Sequence, residues 1–391
     1  MVTQLPYDST LNLWREGYLF GQNRFERYDA DSFRTRLLGR PITVLRGVEA
    51  VRFFYEGDRF ARTGAMPTSV VHSLQDEGSV QTLDAEEHRR RKARFTSVLD
   101  EQGDDGLVEA FDAQWREARQ RWTGNTLEFL SEINAVLLDA VLAWLEIDET
   151  RPTRARLTTE VAAMIDGAGS FGPRNWWGRY LRRYTEEWAV RSVREARAHD
   201  NVLVNTLVHD LDEDVAAVEL LNIVRPVVAV GRFIAFAVLA LHDSHTWRAE
   251  LTRQPERAHP FAQEVRRLSP FFPVIAGLAR DDSEFDGLTF SRDYWVMVDL
   301  FATNHHPRYW CDPWVFDPNR YTREPEEWIV AQGAGEIGAT HRCPGEPATV
   351  ALLERAVQLL SEVYWSLPEQ PLHTGLGRFP AAPGGRLLVS F

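Results

Sequence analysis

Residues 332–346 read QGAGEIGATHRCPGE, and the reading of this stretch decides the reading of the chain. Four glycines make the segment irregular and let backbone approach a large, flat ligand closely. Cys343 then stands just before an apolar helical pattern, TVALLERAVQLLSEV. A helix N-terminus presents free N–H groups and positive potential, which favours a thiolate there. The competing reading is a buried, inert thiol, the ordinary fate of a lone cysteine. Zinc fits poorly, because no second cysteine stands two to four residues away.

The rest of the composition narrows the class. A net charge of −13 over 391 residues disfavours any general affinity for nucleic acid. Cys311 and Cys343 are the only cysteines, so no disulfide framework holds the fold and a reducing, cytoplasmic setting is expected. MVTQLPYDSTLNLWREGYLF lacks a basic start followed by an apolar run, so it does not read as a signal peptide. No window approaches about 18 uncharged apolar residues, so no membrane span and no membrane partner are expected.

Periodicity predicts mainly helix with a minor β region in one large domain spanning 1–391. RTRLLGRPITVLRG reads as two strands joined by a tight turn at Gly39-Arg40-Pro41. From Asp84 to about Val204 the pattern is helical, and LEFLSEINAVLLDAVLAWLEI (127–147) is apolar on nearly every face, as a core helix is. FGPRNWWGRY (171–180) reads as a loop between helices. A long helix is predicted from near Asp212 to about His242. Short strands follow Pro270, then a proline-rich irregular stretch, a helix over 344–362 and a β-rich tail.

The long helix contains a conflict. LLNIVRPVVAVGRFIAF (220–236) places Arg225 and Pro226 side by side in an apolar interior. Proline there removes a hydrogen bond and costs ~3 kcal/mol or more, and a buried arginine demands an anion.

Three segments, in order, resolve the class. Glu264-x-x-Arg267 sits on a helical pattern, Phe316, Pro318 and Arg320 end the irregular stretch, and the cysteine loop follows. In that order and spacing they resemble the cytochrome P-450 superfamily and its fold. The resemblance implies that Cys343 ligates the iron of a haem b as thiolate, and that Glu264, Arg267 and Arg320 form a structural lock. It further implies that His341, His88, Lys92 and Arg62 bind the cofactor, chiefly through its propionates. Lys92 stands where an arginine is usual in the H-x-x-x-R pattern, which keeps charge but loses the fork. A solvated basic face accounts for Arg89 and some neighbours.

RPVVAVGRF holds no acid and no Ser or Thr, so the acid–alcohol relay of oxygen-activating members is absent. LLNIVRPVVAV, with GAMP (64–67), SVQTLD (79–84) and HRCPGE (341–346), resembles instead the fatty-acid peroxygenase branch. That likeness implies hydrogen peroxide and a carboxylic acid as substrates and no required redox partner. Arg225 would then hold the substrate carboxylate, which serves as general base and acid in place of the relay. Pro226 is expected to bend the helix and make room for it. Gln81 falls where decarboxylating relatives carry histidine; an amide cannot titrate, so hydroxylation at the α or β carbon is the expected outcome. Gln75 and Ala168 replace aromatics and imply a wider, more polar pocket. Arg232, seven residues after Arg225, reads as an arginine snorkelling to the surface. The alternatives are a redox-partner-dependent monooxygenase, a decarboxylase forming terminal alkenes, and a haem-bearing carrier without turnover.

Overall fold

The computed structural model describes residues 3–71, 78–101, 103–170 and 172–391. Its helical body is a run of helices over Ala85–Glu101, Gly103–Trp122, Phe129–Trp144, Arg151–Gly167, Pro173–Ala198 and Glu213–Asp243, with Glu346–Glu362 returning late in the chain. The architecture is mainly helical with a minor sheet, as the sequence predicts. Helix Phe129–Trp144 is the core helix: Leu137, Leu138, Val141 and Leu142 are fully buried. Burial of each such side chain contributes ~1.5–3 kcal/mol.

The 31-residue helix Glu213–Asp243 crosses the body over about 46 Å. Glu213 and Asp214 in its first turn complement the helix dipole. A Cβ at Gly231 would run into Asn134 Oδ1, so the glycine is what lets the long helix cross the core helix closely. Among the described residues this helix alone is long and apolar enough to span a bilayer, and 72% of that apolar window is buried inside the protein. It is a core element.

The larger sheet has six strands in the order Thr3–Asp8, Ser32–Leu37, Arg40–Leu45, Trp295–Asp299, Val274–Ala279 and Phe60–Ala61. Parallel pairing of Val44 with Met297 joins the N-terminal hairpin to the second half of the chain. The hairpin turn is shifted from the sequence expectation. Leu38 (φ 51°) and Gly39 (φ 76°) make the turn, while Arg40 and Pro41 already belong to the strand. Two consecutive left-handed residues match the twist of paired strands, which the Gly-Arg-Pro reading missed. The β-rich tail behaves as expected: Leu388–Ser390 pairs antiparallel with Thr126–Glu128 at the mouth of the core helix.

The predicted loop at 171–180 is corrected. Pro173 through Tyr180 are the first turns of helix Pro173–Ala198. Gly172 (φ 95°) caps it and Pro173 starts it, where a missing N–H costs nothing. Gly178 is a packing residue: a Cβ there would lie 2.8 Å from the Ala163 carbonyl oxygen of the preceding helix.

Candidate active site

The loop before helix Glu346–Glu362 is held from within and from beneath. Gly333 (φ 102°) and Gly335 (φ 82°) adopt left-handed backbone, and a Cβ on Gly333 would press to 2.7 Å from the Tyr55 ring. Thr340 donates to the carbonyls of Ala334 (3.0 Å) and Glu336 (2.9 Å), and the Cys343 N–H donates to Gln332 O at 3.0 Å. Arg266 Nε donates to the Gln332 amide oxygen at 3.0 Å, and Glu346 pairs with Arg266 (2.5 Å) and Arg342 (2.7 Å). Cys343 itself is half-buried. Burial pushes its thiol up from the ordinary value, and Glu346 adds to this against the Gly345 N–H, Gln332 and Lys92. Burial thus works against the thiolate that the helix N-terminus favours.

The lock has the geometry that the sequence implies. Arg267 grips Glu264 in a fork, Nε and a terminal nitrogen each at 2.8 Å. Arg320 Nε reaches the same carboxylate at 3.0 Å, and Tyr321 and the Asp317 N–H donate to it as well. Arg267 also donates to the carbonyls of Asn304 (2.7 Å) and Pro313 (2.8 Å), fixing the irregular stretch under the cysteine loop.

Arg62, His88, Lys92 and His341 come together as one basic cluster. The His88 and His341 rings stack at 3.7 Å with their planes 15° apart. His341 Nε2 lies 3.0 Å from Leu83 O, and Lys92 Nζ donates to the carbonyls of Thr340 and Arg342. The Arg62 guanidinium sits over Phe54 and Tyr55 and donates to Ala276 O at 3.2 Å, while its Nε is buried without a partner. Burial, then the charges of Lys92 and Arg62, push His88 down to about 4; burial, then Arg62, push His341 down to about 2. Burial also lowers Lys92 to about 8. Basic groups that depress one another in a dry site suit a pair of carboxylates. An orphaned Arg62 Nε and a nearby half-buried cysteine thus fit a flat, acidic, iron-bearing macrocycle.

In the long helix, Arg225 is buried and donates to Asn222 Oδ1 at 2.5 Å. Asn222 donates in turn to Glu219 Oε2 at 2.9 Å. The other oxygen of Glu219 takes Arg91 at 2.7 Å and the Val80 N–H at 3.0 Å. Sequence reasoning missed Glu219, Asn222 and Arg91, although polar residues at three-residue spacing in ELLNIVR carry the signal. Arg91 belongs to this buried line, whereas Arg89 pairs at the surface with Asp58 (2.6 Å) and Glu86 (3.0 Å) as expected.

Pro226 is exposed and Ala229 half-exposed, although Arg225, Val227 and Val228 around them are buried. Between Glu219 and Val238 of this helix these two alone are not buried, three residues apart on one face. The helix runs through Pro226 without interruption. What proline does remove is the usual donor to the Asn222 carbonyl. Gln81, half-buried, accepts from Ser79 Oγ at 3.0 Å in the loop that Glu219 ties down. Ala168 is half-buried at the end of its helix, and Gln75 lies outside the described residues. Arg232 is not at the surface: it is 4% exposed and pairs with Asp166 at 3.1 Å.

Residues 261–346 match the family model described as cytochrome P450. Among solved structures, cytochrome P450SP alpha (CYP152B1) in complex with (R)-ibuprophen is 35% identical over 98% of each chain, with a TM-score of 0.93. Cytochrome P450EX alpha (CYP152N1) with myristic acid is 32% identical over 100% of this chain and 98% of its own, at 0.93. Ligand-free cytochrome P450 OleT is 27% identical over the same shares, at 0.94. Cytochrome P450 71D181 of Origanum vulgare is 29% identical over 137 residues, 33% of this chain and 27% of that protein. The chain thus spans about a quarter of this curated relative.

Proposed function

The chain belongs to the cytochrome P450 superfamily, in its fatty-acid peroxygenase branch, and from that membership we propose that it hydroxylates a carboxylic acid with hydrogen peroxide. Its class is oxidoreductase and its cofactor a haem; the reading here is haem b, with Cys343 on iron and Arg62, His88, Lys92 and His341 facing the propionates. When bound, the haem supplies a thiolate-held iron that activates peroxide for oxygen insertion into a C–H bond. One domain over 1–391 carries the whole site.

Arg225 is the observation that carries the reading. It is a buried cation on a helix segment with no acid or hydroxyl, beside the opening at Pro226 and Ala229. Asn222 accepts from it and donates in turn to Glu219, so the guanidinium is held at the end of a buried polar line. A substrate carboxylate can bind it there through a charge-assisted bond. Held there, the carboxylate takes a proton from peroxide and returns it to the departing oxygen, the work a protein relay would do. The Glu219–Asn222–Arg225 line keeps the guanidinium from swinging away, and Gln81, unable to titrate, favours hydroxylation over loss of carbon dioxide.

Incubation of the haem-loaded protein with peroxide and a panel of acids, followed by mass spectrometry, tests this. Hydroxy acids should form at the α or β carbon without a redox partner. Arg225→Ala should abolish turnover and weaken binding by ~2–5 kcal/mol. Methyl esters reacting as well as free acids would remove Arg225 from its role, and turnover only with a reductase would favour the monooxygenase alternative. Terminal alkenes as main product would take product control away from Gln81. The free cysteines and the buried long helix support a cytoplasmic protein, which recovery in the membrane fraction would overturn.

A further inference from the structure

Arg232 follows Arg225 by seven residues on the long helix. Seven residues advance a helix by about 10 Å and return to within about 20° of the same face. The two arginines therefore edge one side of the stripe that carries Pro226 and Ala229.

Around Arg232 the charges do not balance. One terminal nitrogen donates to Ala381 O at 2.8 Å and the other to Asp166 Oδ1 at 3.1 Å. Asp166 is shared: Arg378 also hydrogen-bonds it, and Arg174 Nε lies 3.8 Å from its other oxygen. Three guanidinium groups meet one carboxylate. Tyr18, beside them, supplies no anion, because burial pushes its phenol well above the ordinary value and its hydroxyl donates to Phe271 O at 2.6 Å. Arg232 Nε is buried with no partner, although the residue is 4% exposed. The pair with Asp166 leaves this buried donor unmet. The same corner is apolar toward the stripe: Phe233 meets Phe271 edge-on at 5.1 Å, and Phe272 next to it is 37% exposed.

We propose that Arg232 is a second anion anchor of the substrate site, so that the preferred substrate class is a medium-chain α,ω-dicarboxylic acid. One carboxylate lies on Arg225 and the other, about 10 Å along the helix, on Arg232 and its surplus of arginines. Apolar Ala229 and Phe233 face the methylene chain between them. This deepens the carboxylic-acid reading and rests on the role given to Arg225.

The experiment is calorimetric titration of the haem-loaded protein with decanoate and with decanedioate. The native protein should bind decanedioate at least about tenfold more tightly, because its second carboxylate gains a charge-assisted bond. Arg232→Met should reverse that preference and Arg232→Lys should keep part of it, with unfolding midpoints recorded for both. A native protein that prefers decanoate, or a Met variant with the native ratio, overturns the second anchor while leaving Arg225 in place. If the variants do not fold, the native ratio alone decides. Binding of neither acid would bring down both roles together.

Discussion

Glu264, Arg267 and Arg320 form one buried charge cluster, and Arg62, His88, Lys92 and His341 form another, on opposite plans. In the first, Glu264 and Arg267 are completely buried and Arg320 is 1% exposed, yet each charged side chain has a described charged partner. In the second, burial gathers four basic groups, Asp84 beside them takes the backbone N–H of Arg62, and His88, His341 and Lys92 are all driven below their ordinary values. The difference separates architecture from a binding site. A saturated network has nothing left to offer a ligand, whereas an under-neutralised one stores a demand for anions that a cofactor can meet.

The largest expected effect comes from breaking the saturated cluster. Arg267→Ala removes the fork from Glu264 and the donors to Asn304 O and Pro313 O. Removing one partner of a buried pair costs ~3–5 kcal/mol, because the other charge stays buried. Denaturant unfolding of the variant should show that loss, with haem content falling as the irregular stretch loosens. A change below ~1 kcal/mol, the worth of an exposed pair, would place this lock among surface ion pairs and undo the contrast.

How much of this was legible in the chain follows the distance between partners. Glu264 and Arg267 are three apart on one helix, so their pairing is local, and the long helix begins and ends within a residue of its predicted bounds. The Glu219–Asn222–Arg225 line is equally local and was still overlooked, because two apolar residues between each polar pair make the segment read as uniform core. Arg232 could not be read locally: its partners stand 66 and 149 residues away. The hairpin turn and the start of helix Pro173–Ala198 were misread for a different reason. Glycine and proline read as breakers in the sequence, yet Pro173 starts a helix, Gly178 admits a crossing helix and Pro41 sits in a strand.

The under-neutralised cluster gives a smaller, more specific effect. Lys92→Gln keeps a hydrogen-bond donor of similar reach but removes the charge. Haem transfer to an excess of apomyoglobin should speed up roughly tenfold to a hundredfold, the equivalent of ~1.5–3 kcal/mol for a bond to a charged group. Lys92→Arg should hold haem as the native protein does. An unchanged transfer rate in the Gln variant would mean that this cluster is not the anion seat, and the contrast with the lock would lose its functional side.

Between the two plans lies a paired but wet site, and it sharpens the comparison with the smallest effect. His259 sits between Glu354 at 2.6 Å and Glu326 at 3.0 Å, joining helix Ala258–Leu268 to helix Glu346–Glu362 and to the stretch before the cysteine loop. The bond to Glu326, then that to Glu354, raises the imidazole from 6.5 to about 10. A group whose pKa rises on folding contributes stability that is fully present below its unfolded value and is lost as pH climbs through its folded value. The window here therefore runs from 6.5 to about 10. With 43% of its side chain exposed, solvent screens the pair, so the expected contribution is that of surface bridges, ~0–1 kcal/mol each. The thermal midpoint of His259→Gln should fall below the native one at the acid end of that window and converge with it at the alkaline end. A deficit that stays constant across the window would assign the effect of His259 to packing, and a deficit as large as that of Arg267→Ala would show that exposure does not separate these clusters.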